Sequence, residues 1–295
     1  MNVLLDTSAI RELASDPIRA ARFRDVARQA WTVWLADLAL QEIAGDPDPR
    51  RREALVVGFG GALSDLPDGA VRVSAAHDEA IRWELNNEPV RTVLPSRWEE
   101  RYVEVLLKLG RHPEQWSLTV LPGVVDHQKT WKEEFYQKDR GLHDWLSTRD
   151  PEVHRWTSED IAPVIYSTTL PSDDPLTAVA QGWSGGRWIE RDFVAKPERF
   201  PVLTTWRQFF QRQCLANAVP DERWTPEHRA QFGCYRTRSA NHGGNGDWFD
   251  FSIAASATHA DLFITGDERL IRRSEILRSL GVVQFQSATL NAVLS

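Results

Sequence analysis

The stretch VLLDTSAI, residues 3–10, decides the fold of the chain. It opens with three apolar residues, a run that is too short for a buried helix and typical of a buried strand. Asp6 ends this run, and Ser8, followed by an alanine and an isoleucine, can begin a helix. The stretch therefore predicts a β-strand that carries an aspartate at its carboxyl end and continues into a helix.

The composition is that of an ordinary globular protein, with 295 residues, 42% hydrophobic and 26% charged. No apolar run approaches the length of a bilayer span, and Asp6 argues against a secretion signal, so we expect a cytoplasmic protein without a membrane partner. The two cysteines, Cys214 and Cys234, lack the spacing of a zinc site and are too few for a disulfide framework. The net charge of −7 argues weakly against a nucleic-acid coat protein.

Strand-like and helical segments alternate at both ends of the chain. The predicted strands cover residues 3–5, 31–36, 71–74, 261–266 and 282–285. The predicted helices cover residues 11–30, 37–45, 50–63, 76–85, 247–260 and 267–281. Within 11–30, Pro17 is expected near a helix start, after a cap at Ser15 or Asp16. Because strands that alternate with helices form parallel sheets through right-handed crossovers, we predict an α/β fold with a central parallel sheet.

The middle of the chain has a different pattern. Helices are predicted over residues 96–110, 124–146 and 200–219, and nine of the thirteen tryptophans lie between residues 90 and 235. We therefore predict a mostly helical, Trp-rich insertion over 90–235, which divides the α/β core into a first part, 1–89, and a second part, 236–295.

Four acidic residues are expected at the carboxyl edge of the predicted sheet: Asp6, Glu42, Asp250 and Asp267, named here the acidic quartet. In parallel α/β sheets this edge is where ligands bind. Carboxylates crowded together repel one another, and hard divalent cations such as Mg²⁺ and Mn²⁺ prefer carboxylate oxygens. The pattern therefore predicts a site for Mg²⁺ or Mn²⁺, where the ion can activate a water molecule.

Each member of the acidic quartet also has an ordinary structural interpretation. Asp6 can be a turn or cap residue, Glu42 a solvated charge on an amphipathic helix, and Asp267 the cap of the helix that follows it. Asp247 competes with Asp250 for the same role, and we expect Asp247 to cap its helix instead.

The sequence resembles the PIN domain family. The resemblance rests on VLLDTSAI (3–10), LQEIAG (40–45), DFSIAASATHADLFITGDERL (250–270) and the closing VVQF (282–285), and it covers roughly residues 1–85 and 245–290. It implies a three-layer α/β/α fold in which the acidic quartet holds Mg²⁺ or Mn²⁺ for phosphodiester hydrolysis, commonly of RNA. Ser8 and Thr265 match the small hydroxyl positions of the family. The chain departs from the family in length, because residues 90–235 have no counterpart in this pattern.

The resulting expectation is a metal-dependent nuclease, foremost an endoribonuclease. A toxin-type ribonuclease restrained by an inhibitory protein partner is one form of it, and a homodimer is compatible with the resemblance. The Gly-rich loop 235–248 can bring Arg236, Arg238, Asn241 and His242 to a nucleic-acid phosphate, or can be a plain surface loop.

Two other functions stay open. The PIN-like core can be a scaffold for a binding module that acts through the Trp-rich insertion. A phosphatase of the haloacid dehalogenase type also begins with a strand that ends in a nucleophilic Asp. That chemistry usually needs a second Asp two residues later, and this chain has Ser8 there.

Overall fold

The computed structural model describes most of the two ends of the chain and part of its middle. The described residues are 1–44, 46, 48–63, 65–67, 69–86, 144, 148, 152, 155–166, 197–232 and 247–295. The helix predicted over 96–110 lies outside the described residues, and so does the one predicted over 124–146 except for Asp144, which is helical.

A five-stranded, fully parallel sheet forms the centre of the described structure. Its strands are β1 (Asn2–Leu5), β2 (Thr32–Ala36), β3 (Val71–Ser74), β4 (Leu262–Ile264) and β5 (Gln286–Ala288). They lie in the order β3-β2-β1-β4-β5, so β1 pairs with β2 on one side and with β4 on the other. The predicted α/β class with a parallel sheet is confirmed.

Helices connect the strands and cover the sheet. They are α1 (Thr7–Ser15), α2 (Pro17–Ala30), α3 (Asp37–Ala44), α4 (Pro49–Leu63), α5 (His77–Asn86), α6 (Ser158–Ile165), α7 (Pro201–Ala218), α8 (Pro226–Phe232), α9 (Asp247–Ser256), α10 (Glu268–Ser279) and α11 (Leu290–Leu294). Short 3₁₀ turns occur at Pro197–Arg199, Asp221–Arg223 and Ala257–His259. No helix in the described ranges is long and apolar enough to span a membrane.

Both faces of the sheet are buried. Val3, Leu4 and Leu5 have no exposed surface although successive strand residues face opposite sides. Helices α1, α2 and α4 contact one another, and α5, α7 and α9 form a second contacting group. The α1–α4 crossing is close, because a Cβ at Gly58 would overlap the backbone carbonyl of Ala14.

Helix α7 belongs to the same hydrophobic core as the sheet. Phe200, Trp206 and Phe209 are almost completely buried in it. At the first turn of α7, the N–H groups of Val202 and Leu203 donate to the buried carboxylate of Glu84 on α5, at 2.8 and 3.2 Å. A helix within the predicted insertion therefore packs against the core through apolar surface and a buried cap.

Two predicted elements differ from the structure. The strand predicted at 282–285 is wrong: Val283 and Phe285 are buried, but the chain pairs with β4 only from Gln286. The segment 11–30 holds the end of α1 and all of α2, separated at Asp16. The Asp16 carboxylate accepts hydrogen bonds from the N–H groups of Ile18 and Arg19, which confirms the expected cap before Pro17.

Candidate functional site

The strand order places a crevice between β1 and β4. From β1 the chain builds outward to β2 and β3, and it then returns to add β4 and β5 on the opposite side. Such a reversal leaves a gap between the connections at the carboxyl ends of the two strands, and ligands of open α/β sheets bind there. Asp6 directly follows β1, and the segment 265–267 directly follows β4, so both line this switch point.

Asp6 is buried at the switch point, with 3% of its surface exposed. Its Oδ1 accepts a hydrogen bond from the Thr7 N–H at 2.6 Å. Its Oδ2 accepts hydrogen bonds from the hydroxyl groups of Ser8 and Thr265, both at 2.7 Å. All partners of Asp6 in the described part of the chain are thus uncharged groups.

The burial of Asp6 affects its charge. Burial raises the pKa of the Asp6 carboxyl, and the hydrogen bonds from Thr265, Ser8 and Thr7 oppose part of this rise. A buried carboxylate without a positive partner is costly, and a nearby cation would favour the ionised form.

Ser8 and Thr265 also bind the turn that follows β4. Ser8 Oγ accepts a hydrogen bond from the Gly266 N–H at 2.7 Å, and Thr265 Oγ1 accepts one from the Asp267 N–H at 3.1 Å. Each hydroxyl has one proton, so each donates to Asp6 and accepts from the backbone. The two hydroxyl positions expected from the sequence therefore join the ends of β1 and β4.

Gly266 permits this turn to approach α1 closely. A Cβ at this position would lie 2.8 Å from Glu12 Oε1 and 3.4 Å from the Ser8 side chain. Glu12 thus places a further carboxylate at the switch point, and its Oε2 accepts a hydrogen bond from Arg19 at 2.6 Å. Glu12 was not predicted as a site residue from the sequence, although its spacing of one helical turn from Ser8 is a usable signal.

Glu42 is connected to Asp6 through Thr7. The Thr7 hydroxyl donates to Glu42 Oε2 at 2.6 Å, while the Thr7 N–H donates to Asp6. Arg11 NH2 lies 3.7 Å from the other oxygen of Glu42. Thr7 was likewise not predicted as a site residue; it is buried, and a single Thr between two other polar residues at a helix start forms no recognisable motif.

Asp267 caps α10. Its Oδ1 accepts hydrogen bonds from the N–H groups of Arg269 and Leu270 at 2.8 and 3.2 Å. The Arg269 guanidinium also lies beside the carboxylate, with NH2 3.4 Å from Oδ2. The cap interpretation is confirmed for Asp267, and also for Asp6, which is the N-cap of α1. A carboxylate has about four lone-pair sites, so capping leaves sites for other ligands.

Asp250 is half-buried on α9, a helix that contacts α3, which carries Glu42. Asp247 is the first residue of the same helix. The loop residues Arg236, Arg238, Asn241 and His242 lie outside the described residues, so their assignment stays a prediction.

The acidic quartet is connected in part. Hydrogen bonds link Asp6 to Glu42 through Thr7, and to the backbone of Asp267 through Thr265. Among the described residues, however, no three or more His, Cys, Asp or Glu side chains are grouped closely enough to hold a metal ion. The carboxylate of Glu42 faces Arg11 and the Thr7 hydroxyl, and that of Asp267 faces Arg269 and the first N–H groups of α10.

The donor chemistry nevertheless suits a hard divalent cation. Carboxylate and hydroxyl oxygens converge at the switch point, and the buried Asp6 has only uncharged partners among the described residues. Mg²⁺ commonly takes one or two carboxylates and retains several waters, so it needs no dense cage of acidic side chains.

Comparison with protein-family models, with curated proteins and with solved structures finds no match to this chain. The relation to PIN domains therefore remains a resemblance based on the four sequence segments given above.

Proposed function

We propose that the chain is a Mg²⁺- or Mn²⁺-dependent nuclease with a PIN-like fold that hydrolyses phosphodiester bonds, foremost those of RNA. The observation that carries this proposal is the buried Asp6 carboxylate at the switch point, held by uncharged donors and linked to Glu42 and to the turn at Asp267. The resemblance of residues 3–10 and 250–270 to PIN domains supports it.

The proposed roles follow from the positions of the residues. Asp6, Glu42, Asp250 and Asp267 would hold the ion, with Asp6 as the innermost ligand. A bound Mg²⁺ or Mn²⁺ would lower the pKa of a water molecule and neutralise charge on the phosphate oxygens. Ser8 and Thr265 are positioning residues, because their hydroxyl groups fix the orientation of Asp6 Oδ2. No side chain is required as a covalent nucleophile.

The test measures cleavage of single-stranded RNA in the presence of Mn²⁺ and compares the wild-type chain with charge-neutralised variants. Asp267→Asn is the sharpest of these, because Asn is as good an N-cap as Asp and retains the cap of α10 while it removes the charge. We expect its free energy of unfolding to stay within about 0.5 kcal/mol of the wild type, while Mn²⁺-dependent cleavage is lost.

Asp6→Asn is also expected to abolish cleavage. It places an amide group where Asp6 accepts hydrogen bonds, so it should cost about 1–3 kcal/mol in stability. Asp25→Asn on the exposed surface of α2 is the matched control and should leave cleavage unchanged. Retention of Mn²⁺-dependent cleavage in both Asp6→Asn and Asp267→Asn would exclude this site as the catalytic one.

The absence of a grouped metal site among the described residues favours a second candidate, a PIN-fold binding module without hydrolytic activity. Calorimetry separates the two proposals, because the nuclease must bind Mn²⁺ at Asp6 and the binding module need not. The phosphatase alternative has less support. Ser8 occupies the position of the required second Asp, and its hydroxyl is engaged with Asp6 and Gly266.

A further inference from the structure

Arg51 is an exposed arginine whose guanidinium group is fixed by a buried carboxylate. Its Nε and NH2 donate hydrogen bonds to the two oxygens of Asp46, at 2.6 and 2.7 Å. The Arg51 side chain is 60% exposed, whereas that of Asp46 is 2% exposed. Two parallel hydrogen bonds hold the planar guanidinium in one orientation, and its NH1 group donates to no residue in the described part of the chain. One edge of the guanidinium is therefore held, and the other is open to solvent.

Asp46 lies in the short connection between α3 and α4 and is itself fixed by its surroundings. Its Oδ1 also accepts a hydrogen bond from the Asp48 N–H at 3.0 Å, and its backbone carbonyl accepts one from Arg52 NH1 at 2.8 Å. The hydrogen bonds from Arg51 lower the pKa of the Asp46 carboxyl, and the positive charges of Arg51 and Arg11 lower it further, while burial opposes this change. Asp46 is therefore ionised at neutral pH, with two arginines close enough to act on its charge.

Arg11 connects Asp46 to the switch point. The Arg11 side chain is 46% exposed, and its NH2 lies 3.7 Å from Glu42 Oε1. The other oxygen of Glu42 accepts a hydrogen bond from the Thr7 hydroxyl, and the Thr7 N–H donates to Asp6. Two exposed guanidinium groups therefore lie beside the residues that are proposed to act in hydrolysis.

The directions of α1 and α4 explain why these arginines meet. Arg11, in the second turn of α1, acts on the charge of Asp46, just before α4. Farther along the two helices, Ala14 of α1 closely approaches Gly58 of α4. Both helices therefore run in the same direction, away from the carboxyl edge of the sheet where α1 begins. Arg51, in the first turn of α4, is consequently at the edge where ligands of parallel α/β sheets bind.

We propose that Arg51, oriented by Asp46, and Arg11 form a binding site for a backbone phosphate of a single-stranded nucleic acid. This inference rests on the proposed function, which makes a phosphodiester the ligand of the neighbouring residues. A guanidinium presents a planar pair of donors that matches phosphate oxygens. A guanidinium that is already fixed loses less conformational freedom on binding than a mobile one. The phosphate held here belongs to a nucleotide next to the one that is cleaved, so these residues position the strand and take no part in the chemistry.

Asp46 provides the sharpest test, because charge and orientation predict opposite results for its replacement. Asp46→Asn removes a negative charge close to the bound phosphate, so charge alone predicts tighter binding of RNA. The same change releases the Arg51 guanidinium from its fixed orientation, so the positioning role predicts binding that is weaker by about three- to tenfold, the loss of about one phosphate contact. Urea denaturation establishes that the variant is folded.

The measurement is equilibrium binding of a labelled single-stranded RNA to the full chain in EDTA, where metal-dependent cleavage does not occur. We expect Arg51→Gln and Arg11→Gln each to weaken binding about three- to tenfold and to lower the slope of log affinity against log salt by about 0.7. Arg51→Lys keeps the charge but loses the planar fork, so it should keep the slope and still bind more weakly than the wild type. These three variants decide the question even if Asp46→Asn does not fold.

Arg28→Gln is the matched control for the loss of one exposed positive charge. Arg28 is 47% exposed and lies 3.9 Å from Asp25, in the last turn of α2. Because α2 leads into the start of β2, Arg28 is at the opposite edge of the sheet. Its replacement should leave both the affinity and the salt slope at the wild-type values.

The outcomes separate this inference from the proposed function. Weaker binding by Asp46→Asn and a lower salt slope in Arg51→Gln support the phosphate site. Tighter binding by a folded Asp46→Asn, wild-type slopes in both Gln variants, or no RNA binding by the wild-type chain overturns it. Displacement of the RNA by an acidic peptide of equal charge and concentration also overturns it, and assigns the arginines to a protein partner. If the wild-type chain binds RNA through Arg51 but does not cleave it with Mn²⁺, the proposed hydrolysis fails and the phosphate site stands.

Discussion

The Thr265 hydroxyl group connects the end of β4 to Asp6 and to the start of α10 through two hydrogen bonds. Thr265 is fully buried; its Oγ1 donates to Asp6 and accepts from the Asp267 N–H. The change Thr265→Val preserves the shape of the side chain and removes both hydrogen bonds. A hydrogen bond to a charged group contributes about 1.5–3 kcal/mol and a neutral one about 0.5–1.5 kcal/mol, so the free energy of unfolding should fall by about 2–4 kcal/mol.

Thr205, on α7, provides a matched control for this prediction. It is also fully buried, but its hydroxyl has no hydrogen-bond partner within the described residues. Thr205→Val therefore removes an uncompensated polar group, and its stability should equal or exceed that of the wild type by up to about 1 kcal/mol.

Urea denaturation of the two variants and the wild type, followed by circular dichroism, gives the comparison. The slopes should be equal, so that the midpoints report stability. If Thr265→Val and Thr205→Val lose the same free energy, the hydrogen bonds at Asp6 do not stabilise the turn between β4 and α10, and the reasoning about the site is refuted.

Three further predictions concern packing and buried charge in the core. Gly58→Ala should cost about 1–3 kcal/mol or more because its Cβ would overlap Ala14, whereas Gly61→Ala, with open space around it on the same helix, should stabilise by about 0.5–1 kcal/mol in thermal or urea denaturation. Glu84→Ala should cost about 2–5 kcal/mol, because two N–H groups of α7 lose their acceptor. Burial raises the pKa of Glu84 above its ordinary value, and the nearby His259, with Nε2 3.7 Å from Glu84 Oε1, opposes part of this rise, so the folded state retains the proton more strongly than the unfolded chain. The stability advantage of the wild type over Glu84→Gln should therefore grow as the pH falls toward 4.5, and an advantage that shrinks on acidification would contradict this pKa direction.

Much of the fold could be predicted because local pattern and burial agree. The runs at β1, β2 and β3 are short and apolar, and they alternate with helices that have clear starts, as at Asp16 before Pro17. The last strand could not be predicted from hydrophobicity. Val283 and Phe285 are buried against the core from an irregular segment, whereas β5 itself consists of Gln286–Ala288, which pairs through its backbone. Apolar character reports burial, and burial does not require strand pairing.

Helix α7 is a second case in which the sequence predicts an element but not the surface that it packs against. The sequence identifies the helix well, because its apolar residues recur with helical spacing. It does not show what the apolar face packs against. Phe200, Trp206 and Phe209 enter the core of the sheet, and Glu84 caps the first turn of the helix. The boundaries at residues 90 and 235 stay predictions, but α7 is continuous with the core on which the site depends.

The sequence predicts the residues of the candidate site that directly follow the ends of strands. Asp6, Ser8 and Thr265 follow neighbouring parallel strands, and the alternation of strands and helices places them at one edge. Sequence spacing does not show which of these side chains lie within hydrogen-bond distance of one another in the folded chain. Helix α1 carries Thr7, Arg11 and Glu12, and helix α10 carries Arg269. These residues are placed at the switch point only when β1 and β4 pair, so sequence spacing does not predict their positions.

The structural and catalytic interpretations of the acidic residues are compatible. Asp267 uses Oδ1 to cap α10, and its Oδ2 faces Arg269 at 3.4 Å. A helix N–H is a partial positive partner that competes with a cation for the same oxygen, but the cap uses Oδ1, and the cation of the proposed function would use Oδ2. The cap fixes the backbone and one oxygen of Asp267, and the Arg269 guanidinium lies beside the other oxygen. Asp267→Asn separates these roles because it leaves the cap in place and removes only the charge.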